Sequence, residues 1–309
     1  MNRKLNSRAA RALAALAATC LLGSVAACGG SDSPTSGGKG SSGSSKVDEI
    51  AAMVPASVAQ KGKLVVAGAT YPPAIIEQSG GRTTGWDVEN TREIAAVLGL
   101  EAEFKIIPFD GVITGLAANR YDAATGEIYV TPERTKSVTF VTNHLSTDAL
   151  LVPADSKITA DTKDALCGHT LAAELGSAEA ALLDTVAKEC TANGKPALTV
   201  KTFQAQANVN LALNEGRIDG AVSSTSQVAY VIQQTGQKFK LVKLPWGPTH
   251  DTGLALARNK DSAQLAKAVA AATDYLIKNG RLQKIVDKFN DGEGAIDKAK
   301  ILPATSAEQ

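Results

Sequence analysis

The pattern that most restricts the fold is an alternation of β-rich and helical runs, which begins near residue 47. Strands are predicted at KLVVAG from Lys63, AEFKII from Ala102, DAATG from Asp122, TLAAE from Thr170, ALTVKTF from Ala197, IDGAVS from Ile218, KFKLVKL from Lys238 and GLALAR from Gly253. Helices are predicted at 87–98, 111–119, 177–192, 206–214, 225–235 and 262–279. This order is typical of an α/β fold, and about 260 residues make one large domain or two ordinary ones.

The N-terminal segment predicts export. Four basic residues precede an apolar run over residues 13–27, which is too short and too rich in alanine for a membrane-spanning helix. The run ends with Val25, Ala26 and Ala27 directly before Cys28. We expect residues 1–27 to be a signal peptide, and a signal peptide followed by an incidental cysteine remains an alternative to lipidation.

The residues around Cys28 resemble the lipobox of bacterial lipoproteins, which implies that this cysteine is acylated. The next 18 residues, GGSDSPTSGGKGSSGSSK, contain no core-forming side chain and are typical of a flexible tether. Residues 28–46 are therefore expected to hold the protein to the outer face of the bacterial cell membrane through lipid, an extracytoplasmic location.

Charge and composition exclude one class of partner. Removal of residues 1–27 leaves 28 basic against 31 acidic side chains, a net charge of −3. The mature chain has no basic run and few aromatic residues. We expect no nucleic-acid surface.

Two cysteines, Cys167 and Cys190, remain in the exported globular part, where an oxidising environment favours their pairing. Their spacing excludes a Cys-x-x-Cys redox or zinc motif. The three histidines, His144, His169 and His250, are far apart in the sequence. We expect a disulfide, no metal site and no cofactor.

A turn after a predicted strand draws attention to Arg134, within the stretch YDAATGEIYVTPERTKSVTF at residues 121–140. The Thr131 hydroxyl can bond to the local backbone, and Pro132 fixes its own φ for a turn. Arg134 would then be aimed, and its planar guanidinium is suited to gripping a carboxylate at two points. A surface arginine at a loop is the alternative.

Seven motifs in order resemble the family 3 solute-binding proteins of ABC importers, the polar amino-acid binders. They are GKLVVAGATYPPA, GWDVENTREIAAVLGL, FDGVITGLAANRYDA, YVTPERTKSVTF, LCGHTLAAELGS, LALNEGRIDGAV and TGLALARNKDSAQL, and the resemblance runs from about Lys63 to Phe289. It implies a type II periplasmic-binding-protein-like fold of two α/β lobes joined by a two-strand hinge. Lobe 1 would comprise 47–150 with 247–309, and lobe 2 would comprise 151–246.

The resemblance also implies a function and a set of site residues. The function is capture of an amino acid or related small molecule between the lobes and its delivery to a membrane permease by a monomer. Matched position by position, the ligand-binding residues are Tyr71, Phe109, Glu127, Tyr129, Arg134, Glu174, Ser177 and Ser224. Ser177 could instead be only a helix N-cap, and either Tyr71 or Phe109 could be ordinary core.

Several positions depart from the family pattern. Ser224 stands where the family usually has an aspartate for the ligand's α-ammonium group, and Gly68 where many relatives have an aspartate. Glu127 takes a place commonly held by glycine, Tyr129 one commonly held by serine or threonine, and Glu174 one often held by an uncharged or basic residue. We expect Glu127 or Glu174 to meet a ligand cation beside aromatic rings. A basic amino acid or a zwitterion such as an ectoine or betaine would suit this site.

Two other function classes compete with a binding protein. A few proteins of this fold are dehydratases of cyclic carboxylates, such as cyclohexadienyl and arogenate dehydratases, and Glu127 or Glu174 could act there as a general acid. The sequence has no Gly-x-Ser-x-Gly nucleophile elbow and no P-loop. A sensory domain that signals to a membrane receptor is the third possibility. We expect a binding protein and not an enzyme.

Overall fold

The computed structural model describes residues 44–291 and 294–303. Its strands are β1 (Lys63–Gly68), β2 (Ile76–Gln78), β3 (Arg82–Thr84), β4 (Glu101–Ile106), β5 (Ala123–Ala124), β6 (Val138–Pro153), β7 (Thr170–Glu174), β8 (Thr199–Phe203), β9 (Gly220–Ser224), β10 (Phe239–Lys243), β11 (Thr249–Ala257) and β12 (Ile301–Leu302). Its α-helices are α1 (Asp48–Ala51), α2 (Ala56–Lys61), α3 (Trp86–Val97), α4 (Val112–Ala117), α5 (Ala178–Ala192), α6 (Gln206–Asn214), α7 (Thr225–Gln234), α8 (Ser262–Lys278) and α9 (Arg281–Lys288).

One long strand, β6, belongs to two sheet regions. Its residues 138–147 pair with β11, whereas 148–153 pair with β9 and β10. The strand order is β4-β1-β5-β11-β6 in the first region, which we call lobe 1, and β6-β9-β7-β8 in the second, which we call lobe 2. The chain crosses between the lobes within β6 and again between β10 and β11. The predicted α/β fold of two lobes is thereby confirmed.

Helices cover both faces of each sheet region. In lobe 1, α3 and α8 pack on one face through residues such as Ile94 and Val269, and α4 packs on the other through Leu116. In lobe 2, Leu183 of α5 packs on one face, and Val209 of α6 packs on the other. Parallel strands such as β1 and β7 read as apolar runs because neither face meets water.

The predicted disulfide between Cys167 and Cys190 is confirmed. Their Cα atoms lie 5.7 Å apart, and 23 positions separate them in the chain. The bond ties the segment before β7 to the end of α5. Closing a loop of this length stabilises a fold by about 3 kcal/mol in the chain-entropy model.

Other predictions fall outside the described residues. The signal peptide at 1–27, lipidated Cys28 and the tether up to residue 43 lie there. In the described part of the chain, no helix is both long and apolar enough to span a membrane.

Candidate ligand-binding site

A small cavity lies where the two lobes meet. Its lining residues are Tyr71, Phe109, Gly126, Glu127, Tyr129 and Arg134 from lobe 1, and Glu174, Ser177, Ala178 and Glu179 from lobe 2. Measured as the space that the centres of water molecules can occupy, the cavity is about 20 Å³. That is room for about one water molecule. A larger solute can enter only if the lobes separate or side chains move.

The loop that carries Glu127 follows β5 and is fixed by a buried carboxylate. Asp87 Oδ2, at the start of α3, accepts hydrogen bonds from the backbone N–H of Gly126 at 2.8 Å and of Glu127 at 2.9 Å. The other Asp87 oxygen accepts from Asn143 Nδ2 at 3.0 Å. Glu127 has a φ of 57°, in the left-handed region, where a side chain costs about 1 to 2 kcal/mol. Glycine adopts this φ without that cost.

The Glu127 carboxyl group is 5% exposed and is surrounded by hydroxyls. Ser146 donates to Oε1 at 2.7 Å, whereas Ser224 and Ser226 of lobe 2 donate to Oε2 at 3.1 and 2.9 Å. Burial raises the pKa of Glu127 well above its usual value, the carboxyl of Asp291 raises it further, and the three hydroxyls act in the opposite direction. Glu127 thus connects the lobes, and its oxygens already have protein partners.

Tyr71 also reaches across the cleft. Its hydroxyl accepts a hydrogen bond from the Ser224 N–H at 3.0 Å and lies 2.7 Å from Ser223 Oγ. Burial, followed by the charge of Glu179, raises the pKa of Tyr71 well above its usual value, so the phenol stays neutral. Its ring forms part of the cavity wall.

Tyr129 links the cavity to the strand shared by the lobes. Its hydroxyl donates to Asp148 Oδ1 at 3.0 Å and lies 3.1 Å from Ser146 Oγ, both on β6. Its ring stacks on His250, with ring centroids 4.1 Å apart, and His250 Nε2 lies 3.3 Å from Asp148 Oδ2. A change in the angle between the lobes would therefore disturb this wall of the cavity.

Arg134 is aimed by its turn, as predicted from the sequence. Its backbone N–H donates to Thr131 Oγ1 at 3.2 Å, and Nη1 donates to the Tyr129 carbonyl at 2.8 Å. Nη2 crosses the cleft to the Gly176 carbonyl at 3.1 Å, and the guanidinium carbon lies 5.4 Å from the centre of the Phe109 ring. Burial lowers its pKa from the ordinary value, but a guanidinium stays charged at neutral pH.

The lobe 2 wall is the β7–α5 junction. Ser177 is the N-cap of α5, since its hydroxyl accepts from the Ala180 N–H at 3.1 Å. The predicted N-cap alternative is thus correct. Ser177 also lines the cavity, so an N-cap role does not exclude contact with a ligand. The start of α5, with the positive end of its helix dipole, lies at the cavity, since Ser177, Ala178 and Glu179 line it.

Two carboxyl groups lie on this same wall. Glu174 is 3% exposed, and burial, then the charge of Glu179, raise its pKa to about 8. Glu179 is 7% exposed, and burial, then Asp148, raise its pKa to about 7, although its own N–H, Arg134 and Ser177 oppose the rise. Both groups gain or lose a proton near neutral pH, so a cation brought beside them would favour their ionised forms.

Seven of the eight predicted ligand-binding residues line the cavity, and Ser224 lies behind Glu127. Sequence reasoning did not include Glu179, which lines the cavity, nor Asp148, Ser146, Ser226 and His250, which support it. Glu179 lies two positions after the N-cap Ser177, where an acidic residue is common at any helix start, so the sequence gives no specific signal for it. Across residues 44–291 and 294–303, no cluster of three or more His, Cys, Asp or Glu side chains could hold a metal ion.

Comparison with known proteins agrees with this architecture. The probable amino-acid-binding protein YxeM of Bacillus subtilis is 28% identical over 222 residues, which cover 72% of this chain and 81% of YxeM. The L-arginine-binding protein of Pseudomonas aeruginosa is 26% identical over 241 residues, covering 76% and 90%. A solved ancestral arginine-binding protein bound to arginine has 27% identity and a TM-score of 0.66, covering 74% of this chain and 98% of that one.

The family description for bacterial extracellular solute-binding proteins, family 3, matches residues 64–292. This range contains the strands β2 to β11, including the shared strand β6, and every lining residue of the cavity. The chain therefore belongs to the family 3 bacterial extracellular solute-binding proteins.

Proposed function

We propose that this protein captures a cationic or zwitterionic amino acid, or a related small molecule, between its lobes and delivers it to the permease of an ABC importer. The observation that carries the proposal is the charge balance of the cavity. Three carboxyl groups, on Glu127, Glu174 and Glu179, share a nearly dry space with one guanidinium among the described lining residues. A bound cation offsets this excess of buried acid, which otherwise favours the protonated forms of the carboxyl groups.

The ligand's carboxylate binds between Arg134 and the N-terminus of α5. Arg134 retains further N–H donors beyond the two that contact Tyr129 and Gly176. Ser177 and the first-turn amides of α5 stand on the opposite lobe. Contacts from both lobes to one anion stabilise the closed form, because the open form cannot make them.

The ligand's cationic group binds beside Glu174 and Glu179, which have fewer strong hydrogen-bond donors around them than Glu127. Three aromatic side chains, Tyr71, Phe109 and Tyr129, offer ring surfaces to it. Glu127 and Ser224 close the inner end. The names of two similar proteins support a basic ligand, since one binds L-arginine and the other was solved with arginine.

The rest of the predicted organisation forms part of the proposal. Lobe 1 comprises 47–150 with 247–309, and lobe 2 comprises 151–246. A lipid at Cys28 and the tether up to residue 46 keep this monomer near its permease at the cell membrane. Recovery of an acylated N-terminal peptide beginning at Cys28 from membranes would test the anchor, and an unmodified peptide would contradict it.

A dehydratase remains the second candidate because of Glu174. A carboxyl group with a pKa of about 8 is protonated at neutral pH and could serve as a general acid. Incubation with prephenate and arogenate distinguishes the two functions. We expect both compounds to be recovered unchanged, and formation of an aromatic product would contradict the binding-protein proposal.

The first test is thermal unfolding of the purified protein with arginine, lysine, ectoine, glycine betaine and glutamate. A ligand at about 100 times its dissociation constant adds roughly 2.7 kcal/mol, which raises Tm by several degrees. We expect a shift with one cationic or zwitterionic class and none with glutamate. Equal shifts with arginine and glutamate, or no shift with any compound, would contradict the proposal.

A further inference from the structure

A second, larger cavity of about 710 Å³ adjoins the first. The two share four lining residues, Phe109, Arg134, Ser177 and Ala178. We call the first the inner cavity and the second the outer cavity. The inner cavity holds about one water molecule, whereas the outer cavity has room for a larger group.

The lining of the outer cavity includes apolar side chains from both lobes. Ile113 and Pro132 face it from lobe 1, and Ala181 and Leu182 of α5 face it from lobe 2. Ile113 and Leu182 are half-buried, and Ala181 is exposed. Apolar side chains on both sides of a space favour an apolar occupant.

The charges around the outer cavity narrow the chemistry of that occupant. Asp110 and Glu133 are exposed carboxylates among its lining residues, and Arg134 lies at the boundary with the inner cavity. Glu133 is paired with Lys136, so Asp110 is the carboxylate that would repel an additional anionic group. An uncharged, apolar group has no such penalty.

Arg134 also sets the direction of the ligand. If Arg134 holds the carboxylate and the cationic end points to Glu174 and Glu179, the atoms next to the carboxylate lie at the boundary between the cavities. A substituent on the α-nitrogen then points into the outer cavity. Glu127 does not demand a free α-ammonium group, because three serine hydroxyls already donate to its oxygens.

We infer that the outer cavity is a subsite for an apolar substituent on the α-nitrogen of the ligand, so that the site accepts Nα-acylated basic amino acids as well as free ones. This inference rests on the proposed function, because it places the carboxylate at Arg134 and the cation at the inner glutamates. It adds a class of solute that the charge balance of the inner cavity alone does not specify.

The test compares L-arginine with Nα-benzoyl-L-arginine by isothermal titration calorimetry on the purified protein. Burial of the benzoyl ring should make the substituted compound bind about tenfold more tightly than L-arginine. Leu182→Asp should lower this preference about tenfold, since the carboxylate removes apolar contact and adds charge at the wall. Ala181→Trp, which occupies part of the cavity, should lower it in the same way if the aspartate variant fails to fold.

The matched control is Leu211→Asp, because Leu211 is 48% exposed on α6 and lines neither cavity. It should leave the preference unchanged. Benzoyl-arginine that binds more than tenfold weaker than arginine to the wild type would overturn the inference and leave the proposed function intact. An equal loss for both compounds in both outer-cavity variants would also overturn it. Absence of binding by either compound would contradict the proposed function itself.

Discussion

Both walls of the inner cavity present carboxyl groups, but the surroundings of these groups differ. On the hinge side, Glu127 is held by hydroxyls of Ser146, Ser224 and Ser226. On the α5 side, Glu174 and Glu179 have raised pKa values of about 8 and about 7. The Glu127 carboxyl group is part of the contact between the lobes. The carboxyl groups of Glu174 and Glu179 can change their ionisation when a ligand binds. A count of acidic residues in a cleft therefore does not give the charge that a ligand meets.

Removal of the Glu127 carboxyl should have the largest effect on stability. We expect Glu127→Ala to lower the free energy of unfolding by about 3 kcal/mol, because three hydroxyls lose their acceptor, and two of them, on Ser146 and Ser224, are buried. Glu127→Gln keeps an acceptor and should cost less. Glu127→Gly should be about 1 kcal/mol more stable than the alanine variant, because glycine tolerates a φ of 57°. Urea unfolding measures all three.

An alanine variant as stable as the wild type would show that the serine contacts contribute nothing. An alanine variant more stable than the glycine variant would show that the backbone at residue 127 relaxes out of the left-handed region.

Substitution of Arg134 tests how the cavity binds the ligand's carboxylate. Arg134→Ala should weaken binding of a carboxylate ligand tenfold or more, because a charge-assisted hydrogen bond contributes about 1.5 to 3 kcal/mol. The matched control is Arg217→Ala, since Arg217 also lies over a phenylalanine ring, that of Phe203, but lines neither cavity. Calorimetry should find the control near wild type. Unchanged affinity in Arg134→Ala would show that the carboxylate is held elsewhere.

The pH dependence of stability separates the two walls further. The folded pKa of Glu174, about 8, lies above its ordinary value of 4.5. Its contribution to stability is thus complete below that ordinary value and is lost as pH rises through about 8. The slope is at most about 1.4 kcal/mol per pH unit for one proton.

Chemical unfolding of the ligand-free protein at several pH values between 5 and 8.5 measures this loss. The wild type should lose more stability with rising pH than Glu174→Gln, which has no proton to release. The affinity for a cationic ligand should rise over the same interval. If the stability of the two proteins changed equally with pH, the raised pKa of Glu174 would be contradicted.

The smallest expected effect concerns the phenol that crosses the cleft. Tyr71→Phe removes the acceptor of the Ser224 N–H and the partner of Ser223 Oγ. The closed form should lose about 1 kcal/mol, and ligand affinity should fall about fivefold. Calorimetry measures the affinity, and Ser223→Ala should give a smaller loss. An affinity equal to wild type would show that these hydrogen bonds do not favour closure.

Much of the fold was predictable because local patterns and tertiary packing agree. The helix predicted at 206–214 coincides with α6, and the strand predicted from Lys63 coincides with β1. Strand β6 was missed. Its centre carries Asn143, His144, Ser146 and Asp148, which are buried, and polar side chains there break the strand pattern. Each of these four side chains has a polar partner, which allows polar residues in a buried strand. The partners are Asp87, Glu127, Tyr129 and Asp291.

The site was predictable where one residue carried its own signal. The turn around Arg134 identified that residue, and Glu127 and Glu174 were identified as acidic residues that depart from the family pattern. Glu179 was not identified, because an acidic residue in the first turn of a helix is the common pattern at exposed helix starts. Asp148 lay in the strand that was missed. The hydrogen-bond partners of each carboxyl group include side chains from the other lobe, and a local sequence pattern does not predict such contacts.

The position of β11 has a consequence for how the chain folds. This strand lies between β5 and β6 in the sheet of lobe 1, yet residues 249–257 come after the whole of lobe 2 in the chain. The sheet of lobe 1 cannot be completed until those residues have been synthesised. Lobe 2 has its own strands available earlier. Folding should therefore begin in lobe 2 and finish in lobe 1, with the slow step set by the closure of a loop of about 100 residues between paired strands.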